Sequence, residues 1–331
     1  MTSHGATKGA KGVSGVTALR NKYGSFSTVS AGGGGGGGVA GYVAGGSGSS
    51  ALISGIDKVA FPADTITTLS ATLTTAREYV SGFANSSTAG YMAGGNDGAR
   101  ISGIDKVAFP ADTKTTLSAT LTTARADVAG FANSGTAGYV AGGYDGAMVS
   151  GIDKIAFPAD TKTTLSATLT TARRYVTGFA NSGVAGYAAG GQDSGNISGI
   201  DKIAFPADTK TTLSATLTTL RNSGAGFANS GTAGYVAGGY DGITGSLSGI
   251  DKITFSADTK TTLSATLTGG RESPAGFANS GVAGYVAGGY QGPRVSGIDK
   301  VAFPADTKTT LSATLTSTRY AAAGLADSGT L

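Results

Sequence analysis

The chain is predicted to be all-β, a six-bladed β-propeller of four-stranded antiparallel blades preceded by an extended amino-terminal arm. Three observations predict this. First, one unit recurs six times: Ser-Gly-Ile-Asp-Lys begins at Ser54, Ser102, Ser150, Ser198, Ser248 and Ser296, at steps of 48, 48, 48, 50 and 48 residues. A period of this size means units that cannot bury their apolar faces alone and must stack. Second, each unit holds four short strand candidates separated by turn formers. Third, the first unit lacks its opening strand, and the tail carries a spare copy of it.

The elements are read from the copy Asp127 to Arg173. Val128 to Asn133 is a strand (a), ended by Ser134-Gly135. Gly138 to Gly143 is a second (b), within a tag, Gly-Tyr-x-Ala-Gly-Gly, that begins at Gly41, Gly90, Gly138, Gly186, Gly234 and Gly284. Tyr144 to Ala147 is a turn, Asp-Gly being a hairpin signal. Val149 to Phe157 is expected as the third and longest strand (c), with Val149, Gly151, Asp153, Ile155 and Phe157 on one side and Ile152 and Ala156 on the other. Pro158 ends it. Thr163 to Leu169 is expected as the fourth (d), and Thr170 to Arg173 closes the unit. Strands a to d run from the axis outward. Glycine weakens a strand, so Gly130 and the pair Gly142-Gly143 are expected where the inner strands crowd.

A Gly-Gly doublet closing an apolar strand, then a loop, a strand bearing an Asp and an Arg before the next inner strand resembles the kelch repeat over residues 39–331. Kelch units usually carry a Trp on the outer strand. This chain has none, and Thr163 to Leu165 stands there. The phrasing Tyr-x-Ala-Gly-Gly and Ser-Gly-Ile-Asp-Lys-x-x-Phe also looks like kelch-like structural proteins of tailed bacteriophages, including those of cyanobacteria.

Blade one opens near Val39 with strands b, c and d, whereas Tyr320 to Gly329 matches strand a of the other copies. The carboxyl end is therefore expected to complete blade one and remove the open sheet edges. A right-handed β-solenoid is the rival, and it needs no such exchange.

Composition narrows the chemistry. With no Cys, and His4 as the single His, there is no disulfide, thiolate site or cysteine nucleophile. The copper chemistry of some kelch-type oxidases is excluded for the same reason. The arm, residues 1–38, carries Lys8, Lys11, Arg20 and Lys22 and no acid, which accounts for the whole formal charge of +4. The body, residues 39–331, is balanced, which disfavours nucleic acid as a partner. No apolar run is long enough to span a membrane, and no secretory signal is visible. The expected location is a virion assembled in a host cytoplasm, with the arm, tethered by Gly32 to Gly38, anchoring the propeller to other virion proteins. No metal, cofactor or catalytic constellation is expected. Asp97, Asp145, Asp193 and Asp241 read as turn formers, with a paired-carboxylate glycan hydrolase left as an alternative.

The copies differ in two places. The b–c loops read Ser47 to Ala51, Asn96 to Arg100, Tyr144 to Met148, Gln192 to Asn196, Tyr240 to Ser246 and Tyr290 to Arg294. The d–a joints read Glu78-Tyr79, Ala126-Asp127, Arg174-Tyr175, Asn222-Ser223, Glu272-Ser273-Pro274 and Tyr320-Ala321. In an antiparallel blade both fall at one end, so one face of the disc is diversified and the other uniform. The candidate binding residues are Asn96, Asp97, Arg100, Tyr144, Asp145, Gln192, Asp193, Asn196, Tyr240, Asp241, Tyr290, Gln291 and Arg294, with Glu78, Tyr79, Arg174, Tyr175 and Glu272 from the joints. A host surface glycan or protein is the expected ligand, since Tyr offers a large face and a hydroxyl at small entropic cost. A spacer or decoration protein with no ligand is the other reading. The sixfold arginines, Arg77, Arg125, Arg173, Arg221, Arg271 and Arg319, are read as inter-blade ties to Asp57, Asp105, Asp153, Asp201, Asp251 and Asp299.

Overall fold

Runs of five apolar or small residues bounded by turn formers make strands too short to stand alone, and they pair in fours. In a computed structural model, which describes Met1 and residues 40–328, six four-stranded antiparallel sheets form. Blade 3 is typical: Ala129–Asn133 (a), Ala137–Ala141 (b), Ile152–Ala156 (c) and Thr161–Thr164 (d). In blade 1 the chain's last strand, Ala323–Ala326, pairs with Ala40–Ala44, Leu325 opposite Tyr42 and Gly324 opposite Val43. The ring is closed by its own tail. Asp327 secures the seam, donating its amide to the Ala40 carbonyl at 2.9 Å and accepting the Ala40 amide at 2.8 Å.

Strand a is innermost. A Cβ on Gly82, Gly130, Gly178, Gly226, Gly276 or Gly324 would strike the carbonyl of the same glycine in the preceding blade, all the way round. Glycine is required there because six backbones converge on one axis. The Gly142-Gly143 pair has a different cause from the one expected. Both residues adopt left-handed φ, 69° and 107°, and a Cβ would meet the joint carbonyls of Arg173 and Ala126.

Two strands are shorter than the sequence suggests. Strand c begins at Ile152, not Val149, because Val149 and Gly151 bond irregularly, to Gly143 and Gly142. Strand d stops at Thr164, although Leu165 and Leu169 still donate to the Ile152 and Ser150 carbonyls at 2.9 Å. The chain follows strand c without keeping a regular ladder. Only in blade 1 is strand d long, Thr65–Thr72, and there a register shift intervenes between Gly55 and Asp57.

Blades are held together by one repeated clamp. The Phe-Pro-Ala-Asp turn of blade 3 puts Phe157 on Tyr91 of blade 2, ring centroids 5.0 Å apart. Its Asp160 accepts the Tyr91 hydroxyl at 2.8 Å and the Lys106 ammonium at 2.6 Å. The clamp from blade 1 onto blade 6, Asp64 with Tyr285 and Lys300, has the same distances. The arginines tie as expected. Buried Arg125 reaches Asp153 at 3.0 Å and the Val140 carbonyl at 3.1 Å, and Asp153 also accepts the Thr122 amide. All six Arg–Asp pairs form.

Candidate functional site

The diversified loops and joints meet on one face. Each joint forms an isolated antiparallel bridge with the b–c loop of the blade it enters: Tyr320 with Ser47, Glu78 with Asn96, Ala126 with Tyr144, Arg174 with Gln192, Asn222 with Tyr240 and Glu272 with Tyr290. These bridges use backbone groups, so the side chains are free to differ. The following joint residues, Tyr79, Asp127, Tyr175, Ser223, Ser273 and Ala321, all take left-handed φ between 50° and 61°. They are linked amide to carbonyl around the axis, Tyr175 to Asp127, Ser223 to Tyr175 and so on to Tyr79 with Ala321, at 2.7–3.0 Å. They line the mouth of the axial channel, a cavity of about 100 Å³.

Two clusters stand out on this face. The first is aromatic and acidic. Tyr79, Glu272, Tyr290, Arg294 and Tyr320 line a cleft of about 330 Å³. Tyr79 meets Tyr320 edge-on at 6.1 Å, and Tyr290 is tilted to Tyr320 at 6.0 Å. The Arg294 guanidinium lies 5.1 Å from the Tyr320 ring centre and donates to the Ser47 hydroxyl at 3.3 Å. Burial pushes the carboxyls of Glu78 and Glu272 up, an effect opposed at Glu78 by Ser47, Arg294 and Tyr320. Among the described residues no salt bridge reaches Glu272.

The second cluster is basic. Arg100 and Arg174 lie 4.4 and 5.3 Å from the Tyr144 ring centre, and Arg174 also covers Tyr175 at 4.8 Å. Gln192 fixes Arg174 by accepting from Nε and Nη2 at 3.0 and 2.9 Å. Asp127 lies beside them with one buried, unpartnered carboxylate oxygen. Burial raises its pKa to about 7, Arg174 and Arg100 pulling down and Glu78 pushing up.

The three recurring tyrosines do not converge. Tyr144 is held between arginines, Tyr240 is exposed on blade 5, and Tyr290 forms one wall of the cleft. Asn196 donates to the Tyr240 carbonyl at 3.0 Å, and Gln291 sits against Gly269. Asp97, Asp145, Asp193 and Asp241 accept amides of their own turns. At Asp241 the Thr244 hydroxyl and three amides pull the pKa to about 2. Lys8, Lys11, Arg20 and Lys22 lie outside the described residues. Two residues of these clusters, Tyr320 and Asp127, were not among the sequence candidates. Both stand in the joints that differ between copies, and that variation was the available signal.

The opposite face is uniform and stitched. Gly135 donates to Asn85 at 2.9 Å and Ser86 to Ser134 at 2.7 Å, with equivalents further round the ring. No protein-family model matches this chain, and no curated protein matches it.

Proposed function

We propose that the protein is a non-enzymatic virion component of a tailed phage, a kelch-like propeller carried on a fibre, tail or capsid. It presents its diversified face to a host-surface glycan or protein. The arm, residues 1–38, joins it to other virion proteins. One observation carries the reading: the segments in which the copies differ most, the b–c loops and the d–a joints, share one face and are bridged through backbone groups whatever their side chains. Exposure by itself does not account for the variation. Thr115, Ser118 and Thr120 of blade 2 are exposed, yet the stretch Thr-Thr-Leu-Ser-Ala-Thr-Leu-Thr recurs in all six copies. The diversified positions include Tyr and Arg, the residues that dominate recognition surfaces.

The test is attachment of labelled protein to host cells. Replacing Tyr144, Tyr240 and Tyr290 together by Ala is expected to abolish attachment while leaving the thermal melt cooperative. Attachment at the wild-type level would sink the proposal. Deleting residues 1–38 is expected to leave a folded propeller that is missing from particles. A second reading, a glycan-cleaving virion enzyme, draws on Glu78 and Glu272, two carboxyls raised by burial on one rim. Shortened polysaccharide after incubation with purified protein would favour it.

A further inference from the structure

The cleft between blades 6, 1 and 2 exists nowhere else on the ring, because no other blade combines its residues. At the position of Tyr320 the other joints carry Glu78, Ala126, Arg174, Asn222 and Glu272. At the position of Arg294 the other loops carry Leu52, Arg100, Met148, Asn196 and Ser246. A scaffold with sixfold repetition therefore holds one site of this kind.

We propose that this cleft binds a single neutral pyranose residue of a surface glycan, a specification that rests on the adhesion reading above. Tyr290, 37% exposed, offers an open ring face beside Tyr79 and Tyr320, which suits the C–H face of a sugar ring. Glu272 offers a half-buried carboxylate to which no basic side chain is bonded. Its two oxygens can accept from vicinal hydroxyls, a charge-assisted and bidentate arrangement. Charge selects against the alternatives. An anionic sugar would meet Glu272 directly, while the one cation lining the cleft, Arg294, donates to the Ser47 hydroxyl and covers the Tyr320 ring. A quaternary ammonium ligand would seek the aromatic faces, but the Arg294 guanidinium occupies the Tyr320 face at 5.1 Å and would repel it. A ring bearing hydroxyls and no charge conflicts with neither group.

The test uses the full chain and saturation-transfer NMR with methyl α- and β-hexopyranosides, glucuronic acid and choline as separate probes. Neutral glycosides are expected to receive magnetisation, and glucuronic acid and choline to receive none. Glu272→Gln and Tyr290→Ala are each expected to weaken neutral glycoside binding about tenfold or more. Val184→Ala, an exposed position on the opposite, uniform face, is expected to leave it unchanged. Thermal melts guard against unfolding, and the backbone bridge between residues 272 and 290 survives either substitution. Binding of glucuronic acid or choline in place of neutral sugars would overturn the assignment. So would neutral binding that ignores both cleft variants. A parallel measurement of attachment to host cells separates the two levels. Attachment that persists in both cleft variants removes this cleft and leaves the adhesion reading standing. If wild-type protein neither attaches to cells nor binds any glycoside, both fall.

Discussion

The inter-blade clamp can be dissected at Asp160, because three substitutions remove different parts of it. Asp160 adopts φ of 55° and accepts from Tyr91 at 2.8 Å and Lys106 at 2.6 Å. Asn tolerates the left-handed conformation and still accepts from Tyr91, but it loses the ion pair. Both partners of that pair are about one-fifth exposed, 21% and 19%, so about 1 kcal/mol is lost. Gly adopts the φ without strain but supplies no acceptor. It leaves the Tyr91 hydroxyl unsatisfied, and about 2–3 kcal/mol is lost. Ala has no acceptor either and adds the left-handed penalty of about 1 kcal/mol, for a total of about 3–4 kcal/mol. Urea midpoints should therefore fall in the order wild type, Asn, Gly, Ala. The same series at Asp64 should give the same order and similar sizes, since its contacts with Tyr285 and Lys300 are equivalent. An Ala variant as stable as Asn would refute the clamp. A milder series at Asp64 would mean that the interface formed on ring closure contributes less than the others.

Stability should also respond to pH and to the axial glycines. Asp127 and Asp327 have folded pKa values raised, mainly by burial, to about 7 and about 6. Around Asp327, the Ala40 amide and Lys58 oppose the rise and Asp112 adds to it. A carboxyl raised in the fold favours folding while protonated, so the two groups together should lower stability by about 3–4 kcal/mol as pH rises from 5 to 7. Asp127→Asn should flatten most of that slope, and an unchanged slope in calorimetric melts would contradict the assignment. Asp105, Asp201 and Asp299 work oppositely. Burial would raise them, but the Thr hydrogen bonds and paired arginines hold them low, so their contribution is lost as pH falls below the ordinary carboxylate range. For the axis, Gly178→Ala should cost about 3 kcal/mol, since its Cβ would strike the Gly130 carbonyl. Gly199→Ala, which meets nothing within 4 Å and has no left-handed φ, should be neutral or stabilising by about 0.5 kcal/mol. Equal melting temperatures for the two variants would remove the crowding argument.

Ring closure and the Arg–Asp ties were legible because each is written as a sequence pattern. The tail repeats strand a, and the Arg and Asp of each tie recur in every copy at nearly constant spacing. The limits of strands c and d were not legible. Leu165 and Leu169 keep an apolar alternation although the backbone there bonds irregularly to Ile152 and Ser150, and alternation reports burial, not ladder geometry. The Tyr–Asp–Lys clamp was hidden for another reason: Asp160 lies 69 residues from Tyr91, and nothing local marks the pair. The cleft was hardest of all. Tyr79, Tyr290 and Tyr320 enter it from three blades, so its existence depends on which joints become neighbours once the ring closes.

The energetics of the rim explain why this face can vary at all. Glu78 and Asn96 exchange amide-to-carbonyl bonds in both directions, at 3.0 and 2.9 Å, and Ala126 with Tyr144 do the same at 3.1 and 2.9 Å. The geometry is the same for a Glu–Asn pair and an Ala–Tyr pair, so it does not depend on the side chains. The left-handed residue that follows imposes a cost on any non-glycine side chain, yet Tyr, Asp, Ser and Ala all occupy it. The surrounding series of backbone bonds over-determines that conformation and leaves identity open. By contrast, changing a residue of the clamp, the Arg–Asp pair or the axial glycines breaks contacts between blades. Stability resides in the interior of the disc and its uniform edge, and the diversified rim contributes little to it. Such a separation lets the loop and joint positions of each blade change with small stability cost, and a recognition surface can be altered on it without rebuilding the ring. If replacing Glu78 and Asn96 together by Ala lowered the melting temperature as much as Asp160→Ala, that separation would not hold, and the rim's variation would have to be explained by packing.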